Sequence, residues 1–96
     1  MSAVEITTFQ LADGADESDF LAADRRVQTE LVPNQPGFMR RTTAGHGDAW
    51  LVVTLWYSEQ QARDFDAVAR GHPLQQAFDS FMAPGTLASH RYETLD

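Results

Sequence analysis

The chain has 96 residues, enough for one domain spanning 1–96, and a chain of this size buries only about 60–70% of its unfolded surface. Its 43% hydrophobic content excludes a disordered chain, and the absence of cysteine excludes a disulfide framework and thiolate chemistry. Fourteen acidic residues face seven basic ones, all arginine, giving a net charge of −7; this excludes a lysine Schiff base and opposes binding to a nucleic-acid backbone.

Residues 4–11 carry Val4, Ile6, Phe9 and Leu11 among threonines and read as a strand of imperfect alternation. Ala12-Asp13-Gly14 is a turn. Asp16 can cap a helix whose first turn holds Glu17 and Asp19, and Phe20, Ala23, Val27 and Leu31 recur at helical spacing. Pro33 to Gly37 ends that helix in a loop. Residues 38–43 predict a short strand, with Phe38, Arg40 and Thr42 on one face and Met39, Arg41 and Thr43 on the other. A Gly45-His46-Gly47-Asp48 connection leads into the strongest strand, 49–57, apolar on both faces. Trp50, Val52, Thr54 and Trp56 share one face; Leu51, Val53, Leu55 and Tyr57 share the other.

Ser58 with Gln61 forms a capping box, and Glu59–Arg63 and Asp66–Arg70 are favourable pairs four residues apart. Ala62, Phe65 and Ala69 make an apolar stripe that Gly71-His72-Pro73 interrupts and that Leu74, Phe78 and Phe81 resume, Pro73 suiting the start of a new helical segment. Pro84-Gly85 stops it, and residues 87–94 form a last strand. The order β-α-β-β-α-β predicts an α+β, ferredoxin-like fold with a four-stranded antiparallel sheet. Two helical stretches cover one sheet face. Leaving Leu51, Val53, Leu55 and Tyr57 in water would expose an apolar patch of roughly several hundred Å², so a homodimer through that face is expected. No apolar run follows a basic start and none reaches membrane-span length, so the expected location is cytoplasmic, with no membrane partner.

Gln35-Pro-Gly-Phe-x-Arg40, Trp56-x-Ser58 at the strand-to-helix junction and His72-Pro73 resemble the antibiotic biosynthesis monooxygenase-like family, of the dimeric α+β barrel superfamily, over nearly the whole chain. The resemblance implies two sheets forming a barrel with helices outside, and a pocket in each subunit between its sheet and its helices. Some members oxidise aromatic polyketides with dioxygen and neither metal nor flavin, some degrade haem, and many have no known activity. Haem-degrading relatives pair a first-strand asparagine with a tryptophan ending the third strand and an iron-ligating histidine on the next helix. Trp56 matches; the first-strand position falls on Thr7, the helix position falls near Phe65 and Asp66, and His72 lies beyond it. Haem degradation is therefore disfavoured.

The expected function is cofactor-independent oxygenation of an apolar or aromatic small molecule; the alternative is a non-catalytic binding or accessory homodimer. His72 is the candidate catalytic base, or else a turn cap. Trp56 either stacks on a planar ligand or is simply core. Thr7 and Thr54 would hydrogen-bond a ligand. Phe9, Phe38, Trp50, Phe65 and Phe78 would wall the pocket, and Arg40 would anchor an anionic group or pair with an acid. The three histidines lack metal-ligand spacing, so no metal and no cofactor are expected. No phosphate loop, dinucleotide fingerprint or RNA-binding aromatic motif is present.

Overall fold

The structure, a computed structural model, describes residues 1–95. Strands β1 (Ala3–Gln10), β2 (Phe38–His46), β3 (Ala49–Trp56) and β4 (Ala88–Glu93) form one antiparallel sheet in the order β2-β3-β1-β4. Helices α1 (Glu17–Arg26), α2 (Glu59–Ala69) and α3 (Pro73–Asp79) accompany it. The predicted ferredoxin-like α+β fold is thus observed, with the second helical stretch split in two.

Pairing of Phe9 with Trp50, Thr7 with Val52, Glu5 with Thr54 and Ala3 with Trp56 puts these residues on the helix side. Val4, Ile6 and Thr8 then share the open face with Leu51, Val53 and Leu55, and β4 adds Ala88, His90 and Tyr92 there. The imperfect alternation of β1 has this cause: both faces are apolar, and Val4 and Ile6 serve the opposite face from Phe9. Tyr57, just past β3, is 70% exposed.

Asp16 caps α1 by accepting from the Asp19 N–H at 3.1 Å. The helix runs on through a π turn (Val27–Leu31) and a short 3-10 turn (Val32–Asn34). Its last carbonyls are satisfied by side chains: Thr29 donates to Arg25 O, Asn34 to Glu30 O and Gln35 to Leu31 O. Phe20, Val27, Leu31 and Val32 pack on Phe9, Val52 and Phe78 to form the main core, while Ala3, Trp56 and Ala62 form a smaller one bridged to it by Phe38 and Phe65. At the break between α2 and α3, Pro73 opens the new helix and His72 caps it.

The motif residues meet at one corner. Pro36-Gly37 makes a turn closed by Phe38 N–H on Gln35 O (3.3 Å); Gly37, at φ 82°, accepts from Tyr57 N–H at 2.7 Å. A Cβ on Gly37 would fall 2.2 Å from Oε1 of Gln61, the residue whose N–H bonds Ser58 at the start of α2. The Pro-Gly turn and the Trp-x-Ser junction are therefore two halves of one packing unit. At the other end of β2 and β3, the strands close on a two-residue Gly47-Asp48 loop with Gly47 at φ 64°, so β2 runs on to His46, further than the sequence suggests, while β3 stops at Trp56, one residue short of the expected strand.

One expectation about β2 is corrected. Phe38 pairs with Trp56, but Arg40 pairs with Leu55, leaving Met39 as the extra residue of a β-bulge. The bulge inverts the alternation: Phe38, Arg41 and Thr43 share the helix side, whereas Arg40 and Thr42 lie on the open face. The Asp66–Arg70 pair is also replaced. Asp66 bonds Arg91 on β4 instead, at 2.8 Å, whereas Glu59–Arg63 forms as predicted.

Candidate active site

A cavity of about 260 Å³ opens between sheet and helices. Its floor is Thr7, Val52, Thr54 and Ser89; its roof is Phe65 and Ala69 of α2 and Phe78 of α3; Val27 and Val32 close the end near α1. An apolar hollow with a few converging polar groups is the ordinary form of a small-molecule site. A second depression, about 510 Å³, lies at the hairpin end beside Gln10, Ala44, His46 and Leu51. It opens largely on the uncovered sheet face and gathers no acid and no arginine, so the first cavity is the candidate.

Four of the residues singled out in the sequence come together here: Thr7, Thr54, Phe65 and Phe78. Thr7 Oγ1 sits 3.0 Å from Ser89 Oγ. Thr54, 8% exposed, makes no side-chain hydrogen bond to a described residue and borders the cavity. Phe9 and Trp50 lie elsewhere, meeting Phe20 edge-on at 5.8 and 5.0 Å. Trp50 also covers Gly45, where a Cβ would come within 2.7 Å of its ring. Phe38 and Trp56 form an edge-on pair at 5.8 Å, and Trp56, 1% exposed, stands behind Phe65 with ring centroids 5.0 Å apart. Arg40 is exposed on the far side of the sheet. His72 is an N-cap: its Nδ1 accepts from Leu74 N–H at 3.1 Å, and it does not border the cavity.

The charged wall was not read from the sequence. Arg41, with a side chain 4% exposed, pairs with Asp24 at 2.8 Å and donates to Gln28 at 3.2 Å. Thr43 donates to the same Asp24 oxygen at 2.7 Å, and the Arg41 guanidinium lies 5.3 Å over the Phe78 ring. The available signal was the tandem Arg40-Arg41 on a strand, which obliges one of the two to face the helices. Across the cavity, Arg91 joins Glu5 on β1 to Asp66 on α2. Burial depresses the Arg91 pKa, but the bonds and charges of Asp66 and Glu5 outweigh it and the net shift is upward. At the rim, partial desolvation of the otherwise exposed Asp79 pushes its carboxyl above its usual range, partly offset by a hydrogen bond from Gln75 at 2.9 Å. Among the described residues no group of three or more His, Cys, Asp or Glu is placed to hold a metal ion, and no described helix is long and apolar enough to cross a membrane.

No protein-family model and no curated protein matches the chain. Solved structures do. The cofactor-independent oxygenase SnoaB from Streptomyces nogalater aligns with a TM-score of 0.81 at 16% identity, over 99% of this chain and 94% of that one. A monooxygenase from the gene ActVA-Orf6 of Streptomyces coelicolor, in complex with the ligand Nanaomycin D, aligns at 0.71 and 20% identity, over 99% and 88%. Rv0793 from Mycobacterium tuberculosis aligns at 0.72 and 13%, over 100% and 97%. The chain has the fold of the antibiotic biosynthesis monooxygenase-like proteins, as the sequence motifs suggested.

Proposed function

We propose that the chain is a monooxygenase of the cofactor-independent kind, acting on an apolar or aromatic small molecule held between sheet and helices. One observation supports this reading above the others. The cavity is walled by Phe65 and Phe78 and carries the Thr7 and Thr54 hydroxyls, in a fold shared with a cofactor-independent oxygenase. In such a reaction an acidic CH₂ of the substrate loses a proton, and the carbanion reduces dioxygen and combines with it. Loss of water from the hydroperoxide then leaves a carbonyl. The substrate supplies all four electrons, one oxygen atom enters it and the other leaves as water. Asp79 is the better-placed proton acceptor: it borders the cavity with a raised pKa, a usual device for a carboxylate base. His72, with its Nδ1 committed to Leu74, is left the capping role.

The same reading has the chain work as a homodimer through the open sheet face, where Val4, Ile6, Leu51, Val53 and Leu55 form a continuous apolar surface. The alternative, a non-catalytic binding dimer, draws support from the capping geometry of His72. Oxygen uptake with hydroxylated aromatics and with one- or two-ring aryl ketones bearing an acidic CH₂, after a thermal-shift screen for binders, separates the two. Uptake with a carbonyl product is expected. A bound compound with an acidic CH₂ that consumes no oxygen would leave the binding dimer.

A further inference from the structure

The Arg41 guanidinium is only half engaged. Its Nη1 serves both Asp24 and Gln28, while Nε and Nη2 make no hydrogen bond to a described residue. Among the described residues, the one fully enclosed side-chain nitrogen or oxygen without a partner is Nε of Arg91. The free Arg41 nitrogens therefore border open space, and with the side chain 4% exposed, that space is the cavity Arg41 lines. Nε–H and the neighbouring Nη2–H are parallel donors, spaced to meet the two oxygens of one planar acceptor. Asp24 and Gln28 fix one end of the guanidinium and its carbon sits over the Phe78 ring, so the fork needs little ordering on binding.

We propose that the cavity selects a ligand of one or two flat rings lying against Phe65 and Phe78 and ending in a carboxylate received by the Nε/Nη2 edge of Arg41. This rests on the reading of the cavity as a small-molecule site. At about 260 Å³ it is slightly below the usual range for drug-sized ligands, which fits one or two rings. Two of the cavity's acids, Glu5 and Asp66, are drawn to Arg91, and Arg70 adds a further positive wall residue. The third acid of the lining, Asp79, is held by Gln75 alone, so the carboxylate is received at the Arg41 edge, whose own acid, Asp24, is already taken up by Nη1 and Thr43.

The test is calorimetric titration of the wild-type protein with naphthoate and with naphthamide, its neutral counterpart. Naphthoate is expected to bind roughly ten- to a hundredfold more tightly, the effect of a charge-assisted pair. Arg41→Lys keeps the charge and loses the fork, so it should remove most of that preference. Nitrogen-edited NMR of the arginine Nε–H groups provides a readout on the wild type: naphthoate should shift the Arg41 signal and naphthamide should not. Equal affinity for the two probes would overturn the Arg41 assignment and leave the cavity reading intact. Binding of neither would overturn both. A preference that survives Arg41→Lys but disappears in Arg70→Gln would move the anion to Arg70 and overturn the proposal.

Discussion

Replacing Trp56 with alanine should remove a large part of the stability without touching the cavity wall. The indole is 1% exposed, packed between Phe38 and Phe65, and its other buried companions are Ala3 and Ala62. Two alanines have no side chain to swing into the vacated space, so the void would remain largely open. Loss of a buried tryptophan in such a setting costs about 3–5 kcal/mol. A domain of this size holds only about 5–15 kcal/mol in total. With about 4–8 °C of melting temperature per kcal/mol, the drop should be at least roughly 12 °C. Urea unfolding at one fixed protein concentration, so that any self-association is constant, should show a lower midpoint with an unchanged slope. Trp56→Phe should retain ligand affinity to within about threefold, because Phe65 rather than Trp56 meets the cavity. A loss below about 1.5 kcal/mol for the alanine variant, or a collapse of binding in the folded Phe variant, would refute the assignment of Trp56 to the core.

Gly37→Ala should destabilise by at least about 1 kcal/mol, since φ of 82° disfavours any Cβ and Gln61 occupies its place; urea midpoints would measure it. His72→Ala should cost about 1 kcal/mol through loss of the α3 cap, whereas His72→Asn should cost a few tenths, and oxygen uptake should persist in both. For Asp79 the folded pKa lies above the ordinary value of 3.8, so the proton is held more tightly in the folded chain. The stabilisation from that proton is full below the unfolded pKa and lost as pH rises through the folded one. Asp79→Asn should therefore gain on the wild type as pH rises, by a small amount because the side chain is exposed, while its oxygen-uptake rate falls at least about tenfold. Val53→Asp, in the middle of the open face, should convert a particle of twice 10.7 kDa into one of 10.7 kDa in light scattering. A wild-type monomer would end the dimer reading.

The order of elements was legible because strand and helix periods are local properties. The two-faced strand at 49–56, the Asp16 and Ser58 caps and the proline at 73 each announce themselves within a few residues. Four of the cavity residues followed from the same reasoning, since Thr54 sits in the clear alternation of β3 and Phe65 and Phe78 on the apolar stripes of their helices. What escaped notice depended on contacts between distant segments. Asp66 has Arg70 four residues ahead but finds Arg91 across the fold. Phe9 and Trp50 look like pocket aromatics until Phe20 is seen to fill the space between them. His72 resembles a catalytic base until its geometry with Leu74 shows a cap. Tandem arginines told only that one would be inside, and the residue that decides which one, Met39, carries no signature of a bulge.

That extra residue at Met39 has a consequence for how such chains diverge. Upstream and downstream of it, the same strand obeys opposite numerical parity, so deleting Met39 would restore regular pairing, with Arg40 still opposite Leu55 on the open face and Arg41 still opposite Thr54 on the helix side. Keeping every residue but flattening the bulge, so that Met39 pairs with Leu55, would instead carry Arg40 inward and Arg41 outward or force the corner at Gly37 to shift. Relatives that share every letter here but lack the bulge would thus differ in chemistry, and a column of aligned arginines would join side chains on opposite sides of the sheet.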